Sequence, residues 1–267
     1  MFLVECALRF AQLALLKVNN LLKDDEQICD LQCEGLVCFQ KKKGYGFTTD
    51  AVLLANFACG LQNAKVAEFC SGSGVISILV NAKQKPCQIF AVEIQERLSN
   101  MCERSVKYNK IMNITPVCDD FADFSKLHKG EFDAIISNPP YFKLSSGRLP
   151  QNAEVKMAKY ETTMTLAGLI ESSALALKNN GKLFLVYPSQ RCNELEKELK
   201  NNGFKVCRKC YCFPKQSKPS NIFLIEAIKT QECVKTTILP PIVLNNEDGT
   251  ETEQLKTIYN RNNFLNL

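Results

Sequence analysis

A chain of 267 residues with 46% hydrophobic and 23% charged positions has an ordinary soluble globular composition, with room for one large domain or two small ones. The formal net charge of +5 permits a nucleic-acid partner without demanding one. Fourteen cysteines scattered along the chain exclude a small disulfide-stapled scaffold and point to reduced thiols in a cytoplasmic compartment.

Residues 1–22 carry Leu3, Cys6, Phe10, Leu13 and Leu16 at helical spacing, with Glu5, Arg9 and Gln12 on another face. This predicts an amphipathic helix, too short and too charged to span a membrane. Arg9 interrupts the apolar part and no basic stretch precedes it, which argues against a signal peptide. Residues 36–40, a turn at Gly44 and the short run 45–47 read as a hairpin. Thr48 or Thr49 can cap a helix from Asp50 to about Ala58. Beyond it strands and helices alternate. Strands are expected at 65–69, 88–92, 115–118, 132–136 and 182–187. Helices are expected between the first two strands and at 95–110, 121–127, 166–178 and 194–201. Such alternation specifies an α/β fold, a mostly parallel sheet with helices on both faces. Residues 204–213 and 221–228 are successive strands with no helix between them, so they should pair antiparallel at one edge. The tail from Pro240 is polar and is expected to cross the surface. The expected division is an extra helix at 1–23, a hairpin and helix at 24–60, the main domain at 61–235 and a tail at 236–267.

The most informative stretch is Ser137-Asn138-Pro139-Pro140-Tyr141-Phe142. Two prolines cannot continue a central strand, so Asn138 falls at the carboxyl end of strand 132–136. The Asn138 side-chain oxygen and the Pro139 carbonyl can accept the two protons of an exocyclic amine while Tyr141 stacks on a planar ring. An isolated Asn-Pro-Pro is equally a simple turn. Asn138-Pro139-Pro140-Tyr141 resembles the motif of S-adenosylmethionine-dependent methyltransferases that act on adenine N6 or on a glutamine amide. The longer run from Asn138 to Asn152, NPPYFKLSSGRLPQN, resembles the bacterial tRNA1(Val) adenine-N6 methyltransferase family, and the resemblance covers residues 24–255. It implies the seven-stranded class I methyltransferase form of the Rossmann-like sheet, with an antiparallel edge hairpin. It also implies S-adenosylmethionine as cofactor and tRNA as partner. Asn138, Pro139, Pro140 and Tyr141 become the catalytic set, with Asn138 also near the cofactor.

In an open parallel sheet, ligands sit beyond the strand carboxyl ends. Glu68-Phe69-Cys70-Ser71-Gly72-Ser73-Gly74 lies at the first such end. Gly72 and Gly74 let backbone approach a ligand and lead into a helix N-terminus. Glu68 can hydrogen-bond the cofactor's ammonium group. Glu93 ends the second strand, placed to accept ribose hydroxyls, with a solvated surface glutamate as the alternative. Asp119-Asp120-Phe121 ends the third. The family pattern aligns on Asp120 for the adenine amine and on Phe121 for the ring, with Asp119 one position off. Four such features in order on four strands are far more specific than any one. The resemblance makes residues 24–60 a lid, with Phe47 and Asp50 as cofactor contacts; a core phenylalanine and a helix cap account for them equally well. Cys70 stands where the family pattern has glycine, Glu68 where it has aspartate, and Tyr160-Glu161 where it often has His-Glu.

Residues 197–218 hold seven Lys/Arg against one Glu, with Tyr211 and Phe213 interleaved. This reads either as an RNA-contacting edge or as a solvated one. Lys215 to Asn221 match a family loop, so Lys215 and Lys218, with Tyr141, Phe142, Lys143 and Arg148 after the central motif, are the expected substrate contacts. Cys207, Cys210 and Cys212 lack a fourth ligand at zinc spacing, so no metal is expected. No membrane and no stable protein partner are implied, and a monomer or weak homodimer is expected. Protein-glutamine and DNA-adenine methylation, and a degenerate module that only binds RNA, are the alternatives.

Overall fold

The computed structural model describes residues 21–43, 47–140 and 164–260. In chain order its elements are the hairpin β1 (Glu26–Asp30) and β2 (Val37–Lys41), then α1 (Thr49–Phe57), β3 (Lys65–Phe69), α2 (Val75–Gln84), β4 (Gln88–Glu93) and α3 (Glu96–Tyr108). There follow β5 (Ile114–Cys118), α4 (Phe121–Leu127), β6 (Phe132–Ser137), α5 (Leu166–Ala176), β7 (Leu177–Pro188) and α6 (Cys192–Asn201). The chain closes with β8 (Phe204–Lys215), β9 (Ile222–Lys229), β10 (Thr237–Ile238), β11 (Ile242–Asn245) and α7 (Glu253–Asn260). The amphipathic helix expected within residues 1–22 falls almost wholly outside the described residues.

The described residues form one nine-stranded sheet in the order β10-β8-β9-β7-β6-β3-β4-β5, with β11 also paired to β8. Strands β3 to β7 are mutually parallel, β9 runs antiparallel to β7, and β8 runs antiparallel to β9. This is the expected doubly wound α/β arrangement. Alternate strand residues feed two cores. Val66, Ala134, Ile136, Phe184 and Val186 pack under α1, α2, α3 and α7. Their neighbours Ala67, Ile135, Leu183, Leu185 and Tyr187 pack under α4, α5 and α6. The period of two along each strand is what puts helices on both faces. Each fully buried Leu, Ile or Phe here contributes about 1.5–3 kcal/mol.

Two expectations are corrected. The partner of strand 37–41 is β1, which precedes it, rather than the run 45–47. Left-handed residues Gln32, Glu34 and Gly35 turn the chain, and the Leu31 N–H donates to the Leu36 carbonyl at 3.0 Å. The strand EQICD looks too polar to be buried, yet Glu26 is 1% exposed. Arg104 of α3 makes this tolerable, donating to both Glu26 carboxylate oxygens at 2.6 and 2.8 Å and to the Leu21 carbonyl. The second correction concerns the tail. Rather than crossing the surface, β10 and β11 add to the outer edge of β8, and Ile242, Leu244, Leu255 and Ile258 join the core. The pair β8 and β9 therefore does not end the sheet, because an open edge of unpaired backbone is covered here by the tail.

Candidate active site

The chain leaves β3 through Cys70-Ser71-Gly72-Ser73-Gly74 and enters α2. Cys70, Gly72 and Gly74 all have left-handed backbone, with φ of 58°, 55° and 81°. At Gly74 a Cβ would collide with Cys102 Sγ, so glycine lets α2 lie close to α3. At Gly72 a Cβ would meet nothing within 4 Å, leaving the backbone open to a ligand. Cys70 accepts a conformation that costs an L-residue about 1–2 kcal/mol.

Two buried carboxyls brace this turn. Glu68 Oε2 accepts the Ser77 N–H at 2.8 Å and also the Ser77 hydroxyl. Burial lifts the Glu68 carboxyl to about 8. Glu93, at the end of β4, accepts the Gly72 N–H at 2.8 Å on one oxygen and the Gln95 N–H at 3.0 Å on the other. Burial raises its pKa as well. At the end of β5, Asp120 caps α4 by accepting the Ala122 N–H at 2.7 Å. Phe121 stacks on Phe69 with ring centroids 5.5 Å apart. At the end of β6 the Ser137 hydroxyl donates to the Phe69 carbonyl at 2.7 Å, holding two strand ends side by side just where Asn138 begins.

One cleft gathers Phe47, Glu68, Cys70, Gly72, Glu93, Asp120, Phe121, Asn138 and Pro140. The space it bounds, open mouth included, is about 1210 Å³. Gly74, Asp50 and Pro139 are not on its wall: Gly74 backs onto Cys102 and Asp50 lies in the first turn of α1. Sequence reasoning missed Gln40, Thr48, Ser71, Ser73 and Met164 as wall residues and set Asp119 aside, though it lines the cleft too. Thr48 occupies the N-cap position of α1 but its side chain makes no capping bond. The hydroxyls of Thr48 and Ser71 are buried without a hydrogen-bond partner. Buried polar groups are costly unless satisfied, so this wall suits a ligand rich in polar atoms. The serines beside the glycines were the visible signal; nothing in the sequence marked Gln40 or Met164.

Other expected contacts are placed differently. Tyr141, Phe142, Lys143, Arg148 and the Tyr160-Glu161 pair lie outside the described residues. Lys215 and Lys218 are at the end of β8, away from the cleft, where the Lys215 ammonium donates to the Glu247 carbonyl at 2.9 Å and Lys218 is exposed. The basic stretch 197–218 is not a free edge. Arg208 pairs with Glu226, Lys209 with Glu196, and Tyr211 stacks on Phe223. Lys197, Lys200, Lys205 and Lys218 remain exposed. Cys210 and Cys212 are fully buried in the core.

A parallel sheet whose strand ends carry a glycine turn, two successive acidic corners and an Asn-Pro-Pro corner around one cleft has the architecture of a class I methyltransferase. Residues 48–209 match the methyltransferase small domain family, and the chain belongs to it. A tRNA1(Val) (adenine(37)-N6)-methyltransferase from Shewanella sp. (strain MR-4) is 27% identical over 79% of this chain and 89% of its own length. The protein of the same name from Mannheimia succiniciproducens is 27% identical over 82% of this chain and 87% of its own. Among solved structures, a predicted O-methyltransferase from Agrobacterium tumefaciens superposes with a TM-score of 0.62 at 17% identity, covering 79% of this chain and 95% of that one. TYW2 from M. jannaschii, solved in complex with AdoMet, gives a TM-score of 0.53 at 16% identity over 77% of this chain and 86% of that one. These structures share the fold.

Proposed function

We propose that this chain transfers the methyl group of S-adenosylmethionine to N6 of an adenine in tRNA, adenine 37 of tRNA1(Val). The observation that carries the reading is that Asn138 and Pro140 share one cleft with Glu68, Glu93 and Asp120. The relatives named for this reaction, aligned over most of both chains, select the substrate. When bound, the cofactor supplies an electrophilic methyl group on a sulfonium. The protein's part is to hold and orient. Glu68 takes the ammonium group. Each Glu93 oxygen already holds one backbone N–H and keeps a second lone pair for a ribose hydroxyl. Asp120 and Phe121 take the adenine of the cofactor, and the buried hydroxyls of Ser71 and Thr48 meet its polar atoms.

An aryl amine is a poor nucleophile because its lone pair is delocalised into the ring. Asn138 and the Pro139 carbonyl accept the two amine protons of the target adenine, localising the lone pair, while Tyr141 stacks on the base. Orientation and charge stabilisation then supply the acceleration, and no strong base is needed. His128 is not such a base: it packs against Phe124 in a tilted ring pair with centroids 4.2 Å apart and contacts Glu131.

Phe142, Lys143, Arg148, Lys215 and Lys218 meet the RNA. From β6 to β8 is three strand spacings, about 14 Å, so Lys215 and Lys218 reach phosphates a few nucleotides from the target. A loop base is already accessible and spares most of the cost of extruding a paired one. No helix among the described residues is long and apolar enough to cross a membrane, and the enzyme acts in the cytoplasm without a stable protein partner. The test is incubation with labelled S-adenosylmethionine and single purified tRNAs, followed by digestion to nucleosides. N6-methyladenosine from valine tRNA alone is expected. Label in protein glutamine or duplex DNA, with none in any tRNA, would refute the reading.

A further inference from the structure

We propose that Cys29 and Cys38 form a redox modification site, a dithiol that closes to a disulfide and in doing so loosens the cleft wall at Gln40. The two residues are register partners across the β1–β2 hairpin. The Leu31 N–H bonds the Leu36 carbonyl and the Lys42 N–H bonds the Asp25 carbonyl. The N–H groups of Val37 and Phe39 instead go to Asn109 and Ser105 of α3. That alternation makes Cys29 and Cys38 a hydrogen-bonded antiparallel pair, with Cα atoms about 5.5 Å apart and side chains on one face. A disulfide needs a Cα separation of about 4.4–6.8 Å, so the backbone already lies within reach, and closure asks the two side chains, set wider in a hydrogen-bonded pair, to draw together through a small local shift of the hairpin.

The two thiols are unequal. Cys38 is wholly buried and Cys29 only half-buried. The hydrogen bond from the Cys38 thiol holds the Cys29 pKa down to about 7, while the same contact and burial push Cys38 well up. An accessible thiolate beside a buried resolving thiol is the arrangement of an oxidant-sensitive pair. The oxidant is hydrogen peroxide. The Cys29 thiolate attacks one peroxide oxygen, an S–O bond forms as the O–O bond breaks, and hydroxide leaves to become water with the proton Cys29 had released. The Cys38 sulfur then attacks the sulfenic sulfur, the S–S bond forms as the S–O bond breaks, and a second water leaves with the Cys38 proton. Two thiols lose two electrons and the peroxide becomes two waters.

Gln40 connects this pair to the cleft. The Cys29 thiol donates to Gln40 Oε1 at 3.4 Å, and Gln40 Nε2 donates to the Ser73 hydroxyl at 3.5 Å. Gln40 and Ser73 both line the cleft. Disulfide closure removes the S–H donor that steadies Gln40, and with it a support of the glycine turn. The predicted effect on ligand binding rests on the cofactor reading of that cleft.

The experiment titrates the full chain with hydrogen peroxide, maps disulfides by peptide mass spectrometry and measures S-adenosylhomocysteine affinity by calorimetry. The linked 29–38 peptide is expected before oxidation of the exposed Cys118 and Cys233. At full linkage, affinity should fall at least fivefold and dithiothreitol should restore it. Cys29→Ser, which keeps a donor for Gln40, should abolish both the linkage and the peroxide effect. Cys29 and Cys38 remaining alkylatable after Cys118 and Cys233 have oxidised would overturn the site. Linkage without a change in affinity would overturn the coupling to the cleft. If the reduced protein does not bind S-adenosylhomocysteine, the cofactor reading fails, and peptide mapping still decides the dithiol.

Discussion

Glu68→Gln should move ligand-free stability and cofactor affinity in opposite directions at neutral pH. The Glu68 carboxyl is 1% exposed and burial lifts its pKa from 4.5 to about 8. The folded state therefore keeps a proton that the unfolded chain loses above pH 4.5. Stability is fully present below that pH and falls by about 1.4 kcal/mol per unit until the folded group also ionises. From pH 5.5 to 7.5 this amounts to about 3 kcal/mol from Glu68 alone. Glutamine mimics the protonated acid, since its carbonyl oxygen still accepts from the Ser77 N–H and hydroxyl. The variant should exceed the wild type by about 1 kcal/mol at pH 5.5 and by about 4 kcal/mol at pH 7.5. Glu93 keeps a residual slope of the same sign, because burial raises its pKa too. Cofactor binding should weaken by about 1.5–3 kcal/mol, since the ammonium group loses a carboxylate partner. Urea unfolding at pH 5.5, 6.5 and 7.5 with calorimetry of the folded protein reads both. Parallel pH profiles for the two proteins, or unchanged affinity in the variant, would refute the assignment of Glu68.

Glu93→Ala should weaken S-adenosylmethionine binding by about 1.5–3 kcal/mol, roughly 10- to 150-fold, and unchanged affinity by calorimetry would remove Glu93 from the site. Arg104→Leu should destabilise the fold by about 3–5 kcal/mol by stranding the buried Glu26 carboxylate. The double variant Arg104→Leu/Glu26→Leu should recover most of that loss in urea unfolding midpoints; additive losses would show that the pair is not coupled.

The fold was readable wherever apolar strands met glycine, proline or acidic residues at their ends. Lys65–Phe69, Gln88–Glu93, Ile114–Cys118 and Phe132–Ser137 each finish on such a signal, and those ends form the cleft. What stayed hidden depended on distant partners. In the polar strand Glu26–Asp30, Glu26 is buried only because Arg104, far along the chain, neutralises it. The apolar run Ile242-Val243-Leu244 was masked by the acidic residues after it, though it completes the edge of β8. Arg208 and Lys209 looked free for RNA because composition does not reveal that Glu226 and Glu196 face them. The buried hydroxyls of Thr48 and Ser71 are visible only once the start of α1 and the glycine turn meet on one cleft wall.

The central claim is that Asn138 holds the accepting amine in the same cleft that holds the methyl donor. Asn138→Ala separates the two roles most directly. Calorimetry gives its S-adenosylmethionine affinity, and single-turnover transfer to valine tRNA gives its chemistry. Affinity within a few-fold of wild type together with loss of methyl transfer is the predicted result. Loss of cofactor binding in equal measure, or transfer at the wild-type rate, would contradict it.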